Sequence, residues 1–409
     1  PRVALDGRQE KQILLLSEHN RVALEKLIFL DGKSDLQRHG GAIWFWNSEP
    51  GGELIVSECV FKNNNASGNW GGAIYVGNLS RFAVFRSVFE GNHSVSGGAL
   101  YMHECPFDIV DSVFIENKAG GDGGAIFMNT KTTEATSAYL FKGNEFTINR
   151  AEGDGSAILI QQAEHIETRV DQCQFFRNIK QSENLSGVGG AMCVFGGMLR
   201  LQSSSFLENK SEYAAAGVYI KSNNGLIAEN CTFFANRSEQ GKGGAIYQAD
   251  ETPSVIRNCT FLRNQGGVAG AIYREETQNL SIVSSLFAYN TVVPFVSRSC
   301  SGTFVDSSVG SSSNLQYEEY PAADSINCTS GILLSEPMVD EPQKNGGFVF
   351  TCAIESNSPA RGIGVDCAAM DARGLARDNS AQSCDAGAFE YLESDALSND
   401  MSNASQPGL

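Results

Sequence analysis

The chain has 409 residues, 42% of them hydrophobic, and a formal net charge of −17. This acidity excludes nucleic acid as an expected partner, because a phosphate backbone needs a basic face, and it disfavours an anionic membrane surface. No run of about eighteen apolar residues occurs, so we predict no membrane insertion by this chain. The opening residues Pro1-Arg2-Val3 carry no apolar leader, which suggests a processed form or a piece of a longer protein.

A Phe-x-x-Asn motif recurs along most of the chain, and its phenylalanines are 25 to 32 residues apart. Phe29 extends the series backwards, with Gly32 in the place of the asparagine. A repeat of this length indicates a solenoid, in which each unit packs on its neighbours. The motif pairs are Phe61/Asn64, Phe89/Asn92, Phe114/Asn117, Phe146/Asn149, Phe175/Asn178, Phe206/Asn209, Phe233/Asn236, Phe261/Asn264 and Phe287/Asn290.

Apolar residues also recur five and seven positions before most of the phenylalanines, as at Val56 and Leu54 before Phe61. A spacing of two is typical of strands, so the repeat is all-β. The unit is too short for a propeller blade and lacks the leucine-asparagine consensus of leucine-rich repeats. We therefore predict a parallel β-helix of about ten coils, with the phenylalanines stacked inside at about 4.8 Å per coil. The asparagines are expected to form a corner ladder and to adopt left-handed backbone geometry.

A Gly-Gly-Ala-Ile motif or a variant of it lies between the Phe-x-x-Asn motifs, and its glycine pair is expected to turn the chain. If the isoleucine points inward, the residue after it points outward. That position is mostly aromatic, with Leu159 and Cys193 in two coils, and it predicts a stripe for sugar rings or another protein. The alternative is a stacked ladder covered by neighbouring loops. The stripe comprises Trp44, Trp46, Tyr75, Tyr101, Phe127, Tyr219, Tyr247 and Tyr273.

The eleven cysteines fall into two groups. Cys59, Cys173, Cys231 and Cys259 lie two residues before a phenylalanine, where other coils have serine, so we interpret them as small buried residues. A bond between Cys231 and Cys259 remains open at this point. In the loop-rich region after the repeats we predict the disulfides Cys300–Cys328 and Cys367–Cys384, which imply an oxidising compartment.

The region 345–391 contains four motifs, Asn345-Gly346-Gly347, Ser358-Pro359-Ala360, Asp371-Ala372-Arg373-Gly374 and Cys384-Asp385-Ala386-Gly387-Ala388-Phe389-Glu390. This block resembles the C-terminal block of bacterial secreted β-helix proteins of the choice-of-anchor Q type. The repeats are also similar, more loosely, to those of chlamydial polymorphic membrane proteins. Both resemblances imply a right-handed, pectin-lyase-like parallel β-helix outside the cytoplasm. Neither family supplies catalytic residues to transfer.

We interpret this block as a cap over the end of the solenoid, in which Asp371, Arg373, Arg377 and Asp385 form a buried ion network. The predicted organisation is β-helix repeats at 1–295, last coils and loop-rich cap at 296–391, and a flexible tail or linker at 392–409. At the other end Val3 begins a strand-like run at once, with no cap in sight. We expect self-association or a packed neighbour at that end.

Catalytic groups are sparse in the sequence. We assign the same position within the repeat to three acidic residues, Glu58, Asp111 and Asp171. Two further pairs could act as acid and base by their composition alone, His103-Glu104 and His165/Glu167. No metal motif and no cofactor site are predicted. We expect an extracellular or cell-surface structural or adhesive protein, such as a stalk, matrix or filament component that binds glycans or other surface proteins. A polysaccharide lyase or glycoside hydrolase on the same scaffold is the alternative.

Overall fold

A computed structural model describes residues 2–17, 20–35, 37–131, 139–181, 188–222, 224–250, 252–275, 280–294, 296–301, 313–321, 323, 325–377 and 383–393. The chain winds through four strands per coil, and equivalent strands of successive coils pair in parallel, which builds four long sheets. We number these sheets 1 to 4 in the order in which each coil visits them. The β-helix predicted from the repeat is confirmed. The tail predicted at 392–409 lies almost entirely outside the described residues.

Sheets 1 and 2 carry the strands before and at the phenylalanine. Sheet 1 contains the strands Arg21–Glu25, Glu53–Ser57, Arg81–Phe85, Phe107–Val110, Tyr139–Lys142, Glu167–Asp171, Met198–Gln202, Leu226–Glu229, Ser254–Arg257 and Leu280–Val283. Sheet 2 contains Val3–Asp6, Leu27–Leu30, Val60–Lys62, Val88–Glu90, Val113–Ile115, Glu145–Thr147, Gln174–Phe176, Ser205–Leu207, Thr232–Phe234, Thr260–Leu262, Leu286–Ala288, Leu315–Tyr317 and Leu333–Leu334.

Sheets 3 and 4 carry the strands after the asparagine and after the glycine pair. Sheet 3 contains Asn65–Trp70, His93–Ser96, Lys118–Ala119, Arg150–Ala151, Ile179–Lys180, Lys210–Ser211, Arg237–Ser238, Gln265–Gly266, Thr291–Val292 and, antiparallel to this last strand, Val296–Ser297. Sheet 4 contains Leu14–Ser17, Ile43–Trp46, Ile74–Gly77, Leu100–His103, Ile126–Thr130, Ile158–Gln162, Met192–Phe195, Val218–Lys221, Ile246–Gln248, Ile272–Arg274 and Cys300–Ser301.

The phenylalanines form one continuous internal stack from Phe29 to Phe287. Neighbouring ring centroids are 4.5–5.0 Å apart and the ring planes are within 10° of parallel. Every ring in the stack is fully buried. The in-register partner of Phe29 at one end is Leu5, and that of Phe287 at the other end is Gln316. A register error of one residue would turn these rings to the surface, so the stack fixes the register of the solenoid.

The asparagines form a fully buried ladder from Asn64 to Asn290, as predicted. Within the ladder each Nδ2 donates to the Oδ1 of the next asparagine at 2.9–3.0 Å. Each Nδ2 also donates to a phenylalanine carbonyl oxygen of the preceding coil at 2.8–3.1 Å. The complete set is Asn64, Asn92, Asn117, Asn149, Asn178, Asn209, Asn236, Asn264 and Asn290.

The prediction of left-handed backbone geometry at these asparagines is wrong. The residue before each ladder position has the positive φ instead, as at Asn63 (54°) and Glu116 (55°), because the chain must turn there to point the amide along the axis. The turn therefore falls one residue earlier than predicted, and the ladder amide itself lies on an ordinary backbone. This correction applies to Asn64, Asn92, Asn117, Asn149, Asn178, Asn209, Asn236, Asn264 and Asn290.

The cysteines two residues before the phenylalanines belong to a second buried ladder. Cys59 N–H donates to Ser87 Oγ at 3.1 Å, and Cys173 N–H donates to Ser204 Oγ at the same distance. Cys231 and Cys259 are both free thiols, and Cys231 N–H donates to Cys259 Sγ at 3.4 Å. The interpretation as small buried residues is therefore confirmed.

The glycine pair turns the chain where no side chain fits. Gly71 and Gly97 have φ of 69° and 65°. A Cβ on the second glycine of the pair, Gly72, would lie 1.9 Å from the carbonyl oxygen of Gly98 in the next coil. Close approach of successive coils at this corner therefore requires glycine.

Both predicted disulfides, Cys300–Cys328 and Cys367–Cys384, are present. The first closes the C-terminal end of the solenoid, because Cys300 and Cys328 are fully buried against the last coils together with Ile332. Gln316 completes this closure: its Oε1 accepts the N–H of Cys328 at 2.9 Å, beyond the last ring of the phenylalanine stack.

The C-terminal block lies along the flank of the solenoid, and the prediction that it covers the end is wrong. We call residues 337–377 and 383–391 the strap. The strap packs on the outer face of sheet 2, where Ala386 and Phe389 contact the cluster of Leu262 and Leu286. It reaches back to Gln174, whose Nε2 donates to Phe348 O at 3.0 Å. The strap follows this face because outward-facing residues of sheet 2 are apolar in these coils and need cover.

Candidate binding surface

The predicted aromatic residues, Trp46 apart, lie in one column on the outer face of sheet 4. Trp44, Tyr75, Tyr101, Phe127, Leu159, Cys193, Tyr219, Tyr247 and Tyr273 are in register, one per coil. Trp46 lies two residues after Trp44 on the same face, because side chains alternate along the strand.

Most of this column is buried. Tyr75, Tyr101, Phe127, Tyr219 and Tyr247 are only 4–7% exposed, whereas Trp44, Trp46 and Tyr273 are half-buried. In the first coils the ring faces are used up by stacking, at 5.3 Å between Tyr75 and Tyr101 and 4.8 Å between Tyr101 and Phe127. Open surface is therefore confined to the two ends of the column.

The larger of these ends is an aromatic patch on the first coils, which we define as His39, Trp44, Trp46, Trp70 and His103. Trp70, 39% exposed, is stacked on His39 at 4.7 Å and on Tyr101 at 5.0 Å. His39 also stacks on Tyr75 at 4.5 Å. Among the described residues no ring stacks on Trp44, so the patch ends there in an aromatic face without a ring partner.

Sequence reasoning missed Trp70, His39 and His103 as members of this patch. Trp70 and His39 immediately precede the glycine pairs that begin at Gly71 and Gly40, and this shared position was the available signal. The glycine corner brings the residue before it against the column of sheet 4. His103 takes the position in its coil that Trp46 takes in an earlier one.

Gly77 explains how Trp46 reaches His103. A Cβ at Gly77 would lie 2.3 Å from Cε3 of Trp46, so the indole occupies the space above this glycine. The indole thereby stacks on His103, two coils away from its own backbone, at 5.6 Å. Any side chain at position 77 would displace Trp46, so the patch depends on this glycine.

The patch is uncharged at neutral pH. Burial lowers the pKa of His39 and of His103, since desolvation disfavours the imidazolium form. His39 Nδ1 accepts the backbone N–H of Trp70 at 3.4 Å, which also requires the neutral ring. Burial raises the pKa of Tyr75 far above the physiological range. These groups can pack against C–H surfaces and donate hydrogen bonds, but none is arranged as a nucleophile.

The acidic residues singled out in the sequence do not converge. Asp111 is aligned with Gly143, whereas Asp171 pairs in register with Lys142, so the assignment of a shared phase to these two is wrong. Lys142 Nζ lies 3.4 Å from Asp171 Oδ2. The spacing of Asp171 from Phe175 is one residue longer than that of Asp111 from Phe114, which accounts for the error.

The two acid/base pairs are engaged elsewhere. His103 stacks on Trp46, while Glu104 Oε1 accepts the N–H of Lys131 at 2.8 Å. Glu167 Oε1 accepts hydrogen bonds from Arg169 at 2.7 Å and Arg200 at 3.1 Å. Neither pair faces a common pocket, and each carboxylate holds a structural contact.

Of the four charged residues predicted to form a buried ion network, Asp371, Arg373 and Arg377 form ion pairs, with Glu390 as an additional member. The Asp385 carboxylate instead accepts the backbone N–H groups of Gly362 at 2.8 Å and Tyr391 at 2.7 Å. Arg373 Nε lies 2.7 Å from Asp371 Oδ2, and Arg377 Nη1 lies 2.7 Å from Glu390 Oε2. Arg377 also donates to Asn230 Oδ1 in the solenoid at 2.9 Å. Burial raises the pKa of Glu390, with the nearby Asp385 charge adding to the effect. These side chains are held by ion pairs and hydrogen bonds inside the strap and do not form an open site.

Two sequence families match the repeats. The family described as "Right handed beta helix region" matches residues 156–334, and the "Chlamydia polymorphic membrane protein" repeat matches residues 58–77 and 111–129. Together with the four parallel sheets, these matches show a right-handed β-helix protein. No helix among the described residues is long and apolar enough to cross a bilayer.

Two curated proteins of Dictyostelium discoideum are similar over part of their length. The metabotropic glutamate receptor-like protein P is 28% identical over 61% of this chain and 16% of its own length. The receptor-like protein R is 23% identical over 50% of this chain and 12% of its own length. The chain thus spans less than a fifth of these relatives, and no solved structure matches it. The repeat matches suggest a surface or adhesin-like right-handed β-helix protein.

Proposed function

We propose that this protein is an adhesive β-helix outside the cell, which binds glycans through the aromatic patch. The observation that carries the proposal is that all three tryptophans of the chain lie between Trp44 and Trp70 and converge, partly exposed, on one face. Two disulfides support an oxidising compartment. The polymorphic membrane protein repeats and the resemblance of the strap to choice-of-anchor Q proteins support secretion and surface display.

A glycan suits the chemistry of this patch. Sugar rings present C–H faces that pack on aromatic faces, together with hydroxyls that exchange hydrogen bonds with polar edges. Trp44 is half-buried and stacks on no other described ring, so part of its indole is open to a sugar ring. Trp70 supplies an exposed edge. Because His39 and His103 are neutral, a sugar that covers them does not have to remove water from a charged group.

The test is a glycan microarray probed with the purified protein, followed by titration of the best ligand. Trp44→Ala and Trp70→Ala are expected to weaken binding at least about tenfold, since stacking contacts of this kind contribute about 1–2 kcal/mol each. Tyr320→Ala removes an aromatic residue that is 66% exposed but outside the patch, and it should leave the affinity unchanged. Equal affinity of all three variants would reject the patch, and capture of a protein instead of any glycan would reject the ligand class.

We also propose that the first coil is a self-association surface. Val3–Asp6, Leu14–Ser17 and Arg21–Glu25 lie at the edges of sheets 2, 4 and 1. Val3 and Leu15 are 62% and 52% exposed. Open strand edges with apolar side chains favour pairing with another strand. Light scattering across a concentration series should give a dimer that Val3→Lys and Leu15→Lys abolish; a monomer at all concentrations would refute the proposal.

A further inference from the structure

A column of basic residues runs along the outer face of sheet 3. In register, one per coil, it contains His93, Lys118, Arg150, Ile179, Lys210 and Arg237. A second column two residues later contains Glu152, Gln181, Glu212 and Glu239. Two ion pairs join the columns: Lys118 pairs with Glu152 of the next coil at 3.9 Å, and Arg237 pairs with Glu239 of its own coil at 2.9 Å.

This charge pairing is interrupted at one coil. Ile179 replaces the basic residue and Gln181 replaces the acidic one. In the coils before and after this one, the side chains of Arg150 and Lys210 form no ion pair with any residue that the structure describes. Both side chains are exposed, and a groove of about 290 Å³ lies between them.

Lys180 lines the same groove and differs in size and charge from the residues at the equivalent position of neighbouring coils. The equivalent residues of neighbouring coils are Ala119, Ala151, Ser211 and Ser238, all small and buried. Lys180 is only 3% exposed, and burial lowers its pKa, although the nearby Asp154 opposes this shift. A lysine in a position otherwise reserved for small residues costs stability, and such local costs are typical of functional sites.

We propose that this groove binds an acidic polysaccharide, with Arg150 and Lys210 each holding one anionic group of the chain and Ile179 packing against a sugar ring between them. The two cations are two coils apart, so their backbones are about 9.6 Å apart along the axis. A linear polymer lying parallel to the axis can therefore meet both. The assignment goes beyond the proposed function, because the groove and the aromatic patch are different surfaces. The groove is on sheet 3 in the coils of Arg150 to Lys210, whereas the patch is on the first coils.

The acidic residues beside the groove favour a ligand whose negative charges are widely spaced. Glu212 borders the groove and lies in the coil of Lys210, and the chain carries a net charge of −17. Duplex DNA, with one phosphate per about 1.7 Å, would be repelled by these surroundings. A glycan with one carboxylate or sulfate on each sugar or on alternate sugars meets the cations with less repulsion. Removing the Glu212 charge should consequently strengthen binding.

The experiment is biolayer interferometry of the full chain with polygalacturonate, dextran sulfate, neutral dextran and poly-L-glutamate, at low and high salt. Polygalacturonate and dextran sulfate separate a carboxylate from a sulfate ligand, and binding of either one, weakening with salt, supports the proposal. The Arg150→Gln/Lys210→Gln double variant should bind at least about tenfold more weakly, and Glu212→Gln should bind more tightly. Lys118→Gln is the matched control, because it removes a cation of the same column that is already paired.

Three results would overturn the assignment. These are equal binding of neutral dextran, tighter or equal binding of poly-L-glutamate, and an equal loss of affinity in Lys118→Gln and the double variant. Ile179→Glu keeps the proposal testable if the double variant is unstable, because it places a carboxylate between the two cations and should block binding without loss of folding. None of these variants touches the aromatic patch, so failure here leaves glycan binding by Trp44 and Trp70 as a separate question.

Discussion

A single asparagine side chain in the ladder satisfies several buried polar groups at once. The amide of Asn149 donates to Asn178 Oδ1 and Phe114 O, and its Oδ1 accepts from both the side chain and the backbone N–H of Asn117. No other side chain of this size carries two donors and an acceptor in that arrangement. Because each member depends on its neighbours, the ladder couples coils at the scale of one residue.

Asn149→Ala is therefore expected to lower the free energy of unfolding by about 3 kcal/mol. The substitution removes the side-chain partner of the Phe114 carbonyl, of the Asn117 backbone N–H and of one N–H of the Asn117 amide, and each buried group left unsatisfied costs about 1–3 kcal/mol before local relaxation. Urea denaturation followed by circular dichroism measures the change. Asn327→Ala is the control, because Asn327 is exposed, and its effect should stay within about 0.5 kcal/mol. If Asn149→Ala lowered the free energy of unfolding no more than Asn327→Ala does, the ladder would contribute little to stability.

The second residue-scale prediction concerns His39 and pH. Its pKa is lowered in the folded protein by burial, so the unfolded chain binds the proton more readily. The contribution of the neutral ring to stability is complete above the unfolded pKa of about 6.5 and is lost as the pH falls through the folded pKa. Protonation also removes the acceptor for Trp70 N–H. Tryptophan fluorescence should change with a midpoint below pH 6.5, and His39→Gln should abolish that transition; an unchanged transition would assign it to another group.

At the scale of the element, the strap is held on sheet 2 by one apolar cluster and one ion network. Arg377 connects the two parts, since it pairs with Glu390 in the strap and bonds Asn230 in the solenoid. Asn230 in turn donates to Met370 O at 2.8 Å. The strap thus covers Leu262 and Leu286, which would otherwise face water.

Arg377→Met is expected to release the strap while the solenoid stays folded. Removing one partner of a buried pair leaves the other charge uncompensated, at a cost of about 3–5 kcal/mol. Limited proteolysis should then cut within residues 337–391 and leave a stable core that ends before them. Arg361→Met loses an exposed hydrogen bond to Ser356 O and a contact with the Tyr391 ring at 4.3 Å, but no buried ion pair, and it should remain as resistant as the unchanged protein. Equal resistance of both variants would contradict this role of Arg377.

The coils could be predicted from the sequence, whereas the position of the strap could not. Phe114, Asn117 and Gly123 recur at fixed offsets, so one local pattern repeated along the chain determines strand, corner and register together. The strap contains no such repeat, and its place depends on contacts such as Arg377 with Asn230, 147 residues away. Trp70 shows the same limit: its position before Gly71 was visible, but its stacking on His39 depends on how two coils meet at the corner.

At the scale of the whole molecule, the chain is a rod in which each coil contacts mainly the coils before and after it. Stability in such a solenoid is approximately a sum of nearest-neighbour terms, so opening begins at an end. The C-terminal end of the solenoid is closed by Cys300–Cys328 together with Gln316. The strands beside this disulfide are therefore expected to depend on it for their protection.

Cys300→Ala/Cys328→Ala is expected to increase hydrogen exchange first in Ile272–Arg274 and Leu286–Ala288, the strands beside the disulfide. Closing a loop of this length contributes about 3–4 kcal/mol. Val113–Ile115 and Glu145–Thr147, in the middle of the rod, should keep their protection, because they are many coils away from the lesion. Cys231→Ser/Cys259→Ser provides the comparison, since these thiols are free and exchange near the end should be unaffected. Uniform loss of protection along the rod after removal of the disulfide would mean that the solenoid unfolds as one unit, and the coils beside Cys300–Cys328 would then have no separate stability.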